Sequence, residues 1–273
     1  MNYLQFDFEI DNQEQLEKLV ALLADQGFDG FEEEEDHLDA FIAEHQFNEA
    51  GFAGVLDRFE KIIYVKTVIE NINWNKKWEE DFNPVVIADF VAIRAGFHQP
   101  VTGVQHEIII TPKMSFGTGH HATTYLMLQE MRKLNFTGKT VFDFGTGTGI
   151  LAILASKLGA AKVWAIDYDE WSINNTRENM LLNQCEGIHL EQDDSISSTE
   201  SFDILLANIN LNVIVACIDA MTAITKPGAI LLLSGFLQEN EKDILAATSN
   251  AGLLHQHTEQ RGDWIMVAVK KQP

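Results

Sequence analysis

Asp143, Gly145, Gly147 and Gly149 stand at alternate positions in "VFDFGTGTGIL" (Val141–Leu151), after a strand pattern and before a helical one. Glycine has no Cβ, so such a turn can pass close beneath a ligand, and the helix start beyond it presents free N–H groups. The dinucleotide spacing G-x-G-x-x-G is not met, because Ile150 holds the last glycine position; the spacing is D-x-G-x-G-x-G. Acids recur at the ends of the next two strand patterns. Asp167 closes "KVWAID" with Asp169 two residues on, and Asp193-Asp194 close "IHLEQDD". A carboxylate at the second strand end can accept both hydroxyls of a ribose, and the third lies near where an adenine amino group would come. The "TGKT" stretch at Thr137–Thr140 imitates a P-loop, but Lys133 stands where that motif needs a glycine, and the stretch precedes its strand.

Such residues need a parallel sheet to bring them to one edge. From Val85 onward the strand patterns "TVFDFG", "KVWAID", "IHLEQDD", "FDILLANI" and "AILLLSG" alternate with helical ones, and "LHQHTEQ" and "DWIMVAVKK" close the chain as an antiparallel pair. These seven strands predict an α/β, Rossmann-like fold. The first seventy residues read strand, helix, strand, strand, helix, strand. "YLQFDFEI" alternates apolar and polar residues, Leu16 to Leu23 recur at helical spacing, and "NEAGFAGVLDRFEKI" is a second helix. That order is the one of a small ferredoxin-like α+β domain. Between the two, Trp74–Phe82 predicts a short linker helix ended near Asn83 by Pro84, with Trp74 and Trp78 on one face for packing. The chain thus divides into residues 1–70, a linker 71–84 and residues 85–273.

Composition narrows the function. The chain of 273 residues is long enough for two domains, and 46% hydrophobic with 22% charged residues is a globular balance. Its formal net charge of −22 repels phosphate backbones, which disfavours nucleic acid and favours a basic partner or simply solubility. The N-terminus "MNYLQFDFEIDNQEQ" carries acids where a signal peptide needs bases, and no apolar run reaches membrane-spanning length. Cys185 and Cys217 lack zinc or redox spacing, and the nine histidines show no ligand spacing, so no metal is expected. These features point to a cytoplasmic protein.

With its glycine turn, ribose acid and terminal antiparallel pair, the chain resembles the S-adenosylmethionine-dependent methyltransferases of the Rossmann-like class. In that class an Asn ending the fourth strand marks many enzymes that methylate nitrogen, and here "LLANINL" carries Asn208 at that place. The amide oxygen of Asn208 and the carbonyls after it could accept N–H bonds from an amine and aim its lone pair, a positioning effect. Asn208 could instead cap the helix that starts near Leu211.

The set "NWNKKWEEDF", "MSFGTGHHATT", "FDFGTGTGILAI", "AIDYDEWSI" and "LLANI" is more specific, and it is similar to the ribosomal protein L11 methyltransferases. The resemblance implies an enzyme that methylates the N-terminal amine and lysines of ribosomal protein L11. It implies a small N-terminal domain that recognises this protein, and a monomer. It further implies that Thr124 contacts the cofactor, that Gly145 lies beside its amino-acid portion, that Gly147 binds the cofactor as well, and that Asp167 binds its ribose. Phe116 to Gly119 would form a loop over its methionine end, and Asn208 would sit between cofactor and amine. Thr146 and Thr148 replace the smaller residues usual in the family turn, Glu79 stands where a Lys is more usual, and the expected Pro-Trp pair is missing.

A lysine ammonium has no lone pair and an ordinary pKa of roughly 10.4, so the site must favour the neutral amine. No residue stands out as a general base. His120 and His121 are adjacent, so at most one faces the site, and His121, which matches the motif, is expected to position or hydrogen-bond. A small-molecule or nucleic-acid amine methyltransferase of the same fold is the alternative, although Asn208-Ile209-Asn210-Leu211 lacks the aromatic residue that would stack a flipped base. A non-catalytic module on the same scaffold is a further one.

Overall fold

Leu4, Phe6 and Phe8 alternate along β1 (Tyr3–Glu9), and all three are buried on one face of a four-stranded sheet. The chain is described here from a computed structural model over residues 2–10, 12–33, 37–59, 62–69, 82–112, 119–196 and 200–273. It folds as two compact units, Met1–Asp81 and Phe82–Pro273.

In the first unit β1 is followed by α1 (Gln13–Ala24), β2 (Gly30–Glu33), β3 (His37–Ala43), α2 (Glu49–Leu56) and β4 (Ile63–Ile69). Asn12 and Asn48 cap the two helices with their side-chain oxygens, each satisfying N–H groups that a helix start leaves open. The strands pair antiparallel in the order β2-β3-β1-β4, the ferredoxin-like arrangement expected from the sequence. Phe6 packs at 4.5 Å on Phe52 of α2 and at 5.4 Å on Phe28, an aromatic core for a small domain. The second helix is shorter than its pattern predicted. It stops at Leu56, and 57–59 turn away. Every residue of β4 is exposed at the sheet edge.

The second unit contains the seven strands read from the sequence and three more. "VVIADFVAI" is interrupted at Asp89, and there Ala88 adopts φ +47° and folds the stretch into β5 (Val85–Ile87) and β6 (Val91–Ala95). With β7 (His106–Ile110), which runs parallel to β6, these form a three-stranded sheet that the sequence reading missed. After it come α3 (Ala122–Met131), β8 (Thr140–Phe144), α4 (Ile150–Lys157), β9 (Lys162–Asp167), α5 (Glu170–Leu182), β10 (Ile188–Gln192) and β11 (Phe202–Asn208). The chain ends with α6 (Leu211–Ala223), β12 (Thr225–Leu237), α7 (Glu241–Asn250), β13 (Leu253–Arg261) and β14 (Trp264–Lys271).

The large sheet has the order β10-β9-β8-β11-β12-β14-β13, with β14 antiparallel to both neighbours. Both faces are covered. Residues of α3 and α4 join the small sheet in one core, and Ile214, Ile218, Met221 and Ile244 of α6 and α7 build the other. In β11, Leu205 and Leu206 face opposite sides and both are fully buried, each contributing about 2 kcal/mol. The strand order reverses between β8 and β11, and in such sheets ligands bind in the crevice outside the strand ends at that point.

The predicted linker helix falls outside the described residues except at Phe82. Phe82 packs on His120 at 4.7 Å and counts with Asn83 and Pro84 in the second unit. Among the described residues no helix is long and apolar enough to cross a membrane. Both cysteines are free.

Candidate active site

β8 and β11 are neighbours, with Ala207 paired to Phe144, so Asn208 and Gly145 leave the sheet side by side. Ile209 then fits between two glycines. A Cβ at Gly145 (φ +73°) would lie 2.3 Å from Ile209 Cγ2, and one at Gly235 (φ +102°) would lie 2.2 Å from the Ile209 carbonyl oxygen. Both positions demand glycine for conformation and for space. Gly235 was not singled out from the sequence, although a lone glycine inside the strand pattern "LLLSGFL" signals a bulge or a close backbone approach. The ladder between β12 and β14 does shift register there.

The glycine turn is held from several sides. The Gly145 and Thr146 N–H groups donate to Ile166 O, and the Gly147 N–H donates to Asp167 Oδ2 at 2.9 Å. The Asp169 N–H donates to the other oxygen, Oδ1, at 3.0 Å. Each Asp167 oxygen thus keeps one lone pair for a further donor, which suits a pair of adjacent hydroxyls. The third acidic position is drawn in as well, since the Asp193 N–H donates to Asp167 O.

Asn208 and Thr124, 84 positions apart, meet: Asn208 Nδ2 donates to Thr124 Oγ1 at 3.2 Å. Among the described residues Asn208 Oδ1 is buried with no hydrogen-bond partner. The helix-capping alternative for Asn208 does not hold, because Asn210 caps α6 by accepting from the Val213 N–H. A buried acceptor left without a donor costs about 1–3 kcal/mol.

The paired histidines part company. His121 caps α3, its Nδ1 lying 2.8 Å from Thr123 Oγ1, and its ring packs edge-on against Trp264 at 4.4 Å. His120 Nε2 lies 2.8 Å from Asn83 O. Both rings are engaged in holding the start of α3, which carries Thr124. Phe116 lies outside the described residues. Folding also brings together Glu130, His257 and Glu259, a cluster that sequence spacing did not reveal. The Lys133 ammonium bonds Glu130 at 2.8 Å and Glu259 at 2.9 Å, so a lysine holds the two carboxylates there.

Asp143, directly before Phe144 and the turn, is fully buried. Burial pushes its carboxyl up to about 7, against a hydrogen bond from Thr146 Oγ1 at 2.7 Å that favours the charged form. Because the folded value lies above the ordinary 3.8, the folded chain keeps a proton that the unfolded chain has released, and this group's contribution to stability falls as pH rises between those two values. An Asp143→Asn variant carries an amide there, which does not titrate. The Tm of the variant minus that of wild type should therefore climb between about pH 4 and about pH 7 and level off above; a flat difference would show that Asp143 is not shifted.

The residues fit S-adenosylmethionine: a glycine turn, a ribose-type acid beside it, and an orphaned acceptor at the neighbouring strand end lie at one switch point. Comparison with known proteins gives the same direction. The family model described as "Ribosomal protein L11 methyltransferase (PrmA)" matches residues 6–272. The ribosomal protein L11 methyltransferase of Phocaeicola vulgatus is 35% identical over 276 residues, with 98% of each chain covered. That of Bacteroides fragilis is 36% identical over 276 residues, covering 98% of this chain and 99% of the other. A crystal structure of ribosomal protein L11 methylase from Lactobacillus delbrueckii subsp. bulgaricus aligns with TM-score 0.66 and 28% identity, covering 70% of this chain and 100% of that one. The chain belongs to the ribosomal protein L11 methyltransferase family.

Proposed function

We propose that the second unit transfers methyl groups from S-adenosylmethionine to amine nitrogens of ribosomal protein L11, at the end of β11. The observation that carries this reading is the Asn208 amide, whose Nδ2 is engaged by Thr124 while its buried Oδ1 has no donor among the described residues. When bound, S-adenosylmethionine would supply a methyl group made electrophilic by its sulfonium, with S-adenosylhomocysteine as the leaving group and the proton of the methylated amine released to solvent. The chain's own residues do the rest. Asp167 takes the ribose hydroxyls, and the turn Gly145–Gly149 lies beside the amino-acid portion. Thr124 fixes the amide so that Oδ1 accepts an N–H of the incoming amine and directs its lone pair. Burial around Asn208 disfavours the ammonium and favours the neutral amine that can react. His121 acts through Thr123 and the start of α3 as a support, not as a base.

The first unit, in this reading, recognises the basic substrate. Residues 1–81 carry twenty-one acids against six lysines and arginines, fifteen of the chain's 22 net negative charges. Its edge strand β4 also exposes Ile63, Val65, Val68 and Ile69, and an exposed apolar edge is a template for another chain. In this reading the protein works as a cytoplasmic monomer without a direct nucleic-acid partner, in keeping with its net charge of −22. Deleting residues 1–70 should leave cofactor affinity unchanged by titration calorimetry and abolish transfer to ribosomal protein L11. Full transfer by the truncated chain would place recognition elsewhere.

A further inference from the structure

Asn175, Asn179 and Asn183 recur every four residues along one face of α5 and its C-terminal cap, and the structure buries the first two completely and the third almost so. Asparagine disfavours a helix interior because its side chain competes for backbone partners, so three on one buried stripe need a reason. The reason is β7. β6 pairs with one side of that strand, and the asparagine amides take the place of a strand on its other side. The Ile109 N–H donates to Asn183 Oδ1 at 3.0 Å, and Asn183 Nδ2 donates to Ile109 O at 2.6 Å. One step on, the Thr111 N–H donates to Asn179 Oδ1 at 2.8 Å, and Asn175 Nδ2 donates to Thr111 O at 3.1 Å.

The three are not equivalent. Asn179 Nδ2 also donates to the carbonyl of Thr148, inside the glycine turn, at 2.8 Å. Thr176, on the same helix, donates from Oγ1 to the Gly147 carbonyl at 2.7 Å. With Gly147 N–H on Asp167, these two bonds fix consecutive peptide planes of the turn. Asn183 makes the same kind of rung to β7, while its bonds go to Ile109 and the Asn179 carbonyl rather than to the turn.

We propose that Asn179, with Thr176, is a positioning residue for the cofactor: it sets the glycine turn from behind and ties it to the end of β7 at Thr111. The inference rests on the reading of the turn as the S-adenosylmethionine site. Asn183 supplies the internal control, since its loss breaks both bonds of the neighbouring rung without touching the turn.

Titration calorimetry with S-adenosylhomocysteine separates the possibilities. Asn179→Ala and the isosteric Thr176→Val should each weaken binding about tenfold or more, while Asn183→Ala stays within about twofold although its Tm falls like that of Asn179→Ala. Hydrogen exchange at the Thr111 amide should become fast in Asn179→Ala and stay slow in Thr176→Val. Equal losses of affinity in Asn179→Ala and Asn183→Ala, or unchanged affinity in Thr176→Val, would overturn the proposal. Should Asn179→Ala not fold, Thr176→Val decides. Absence of binding by the wild-type chain would sink the cofactor reading itself, and this inference with it.

Discussion

Asn208→Ala is expected to lower kcat for transfer to ribosomal protein L11 about 100-fold, with the cofactor dissociation constant changed no more than about threefold. The size follows from what the amide does: misplacing a nucleophile by an ångström costs on the order of 100-fold. Among the described residues Oδ1 is buried and unpartnered, while Nδ2 is held by Thr124 at 3.2 Å. Alanine removes the acceptor and leaves the glycine turn and Asp167 untouched, which is why binding and turnover should separate. Thr124→Val keeps the acceptor and loses the bond that orients it, so a smaller fall in kcat is the matching result. Steady-state kinetics with calorimetry reads both quantities; an Asn208→Ala enzyme with wild-type kcat would remove Asn208 from the chemistry.

The second large effect is at Asp167. Its two oxygens already accept from Gly147 and Asp169, at 2.9 and 3.0 Å, and each has a lone pair left. Hydrogen bonds to a charged acceptor contribute about 1.5–3 kcal/mol each, and losing both ribose bonds amounts to about 3 kcal/mol or more. Asp167→Ala should thus raise the dissociation constant for S-adenosylmethionine about 100-fold or more. The same substitution frees the Gly147 N–H, so part of the loss is a looser turn. Asp167→Asn, which keeps an acceptor oxygen, should fall between alanine and wild type. Calorimetry showing unchanged affinity for Asp167→Ala would contradict the site.

Local pattern made most of the sheet legible. Five strands of the large sheet, β8, β9, β11, β12 and β14, carried largely apolar runs, and the first unit's order was readable from alternation in Tyr3–Glu9 and helical spacing from Leu16 to Leu23. The small sheet β5–β7 was hidden, because its tight turn holds only Asp89 as a turn residue and puts the positive φ on Ala88, with neither Gly nor Pro to mark a hairpin. In the site, Asp167 and the glycines were readable because they sit at the ends of strands. The meeting of Asn208 with Thr124 was not written in spacing, and the resemblance supplied both residues before the fold showed them in contact. Thr176, Asn179 and Gly235 act through backbone carbonyls and close approaches, which depend on packing rather than on any local motif. The asparagine stripe was nonetheless visible as a four-residue repeat unfavourable for a helix.

Mass spectrometry of ribosomal protein L11 tests methyl transfer to its amines directly. Unmethylated ribosomal protein L11, incubated with the full-length chain and labelled S-adenosylmethionine, should gain mass in whole methyl increments. Peptide fragmentation should place the label on its N-terminal amine and lysine side chains. Label that stays with the cofactor, or that moves only to a small molecule or a nucleic acid, would contradict it.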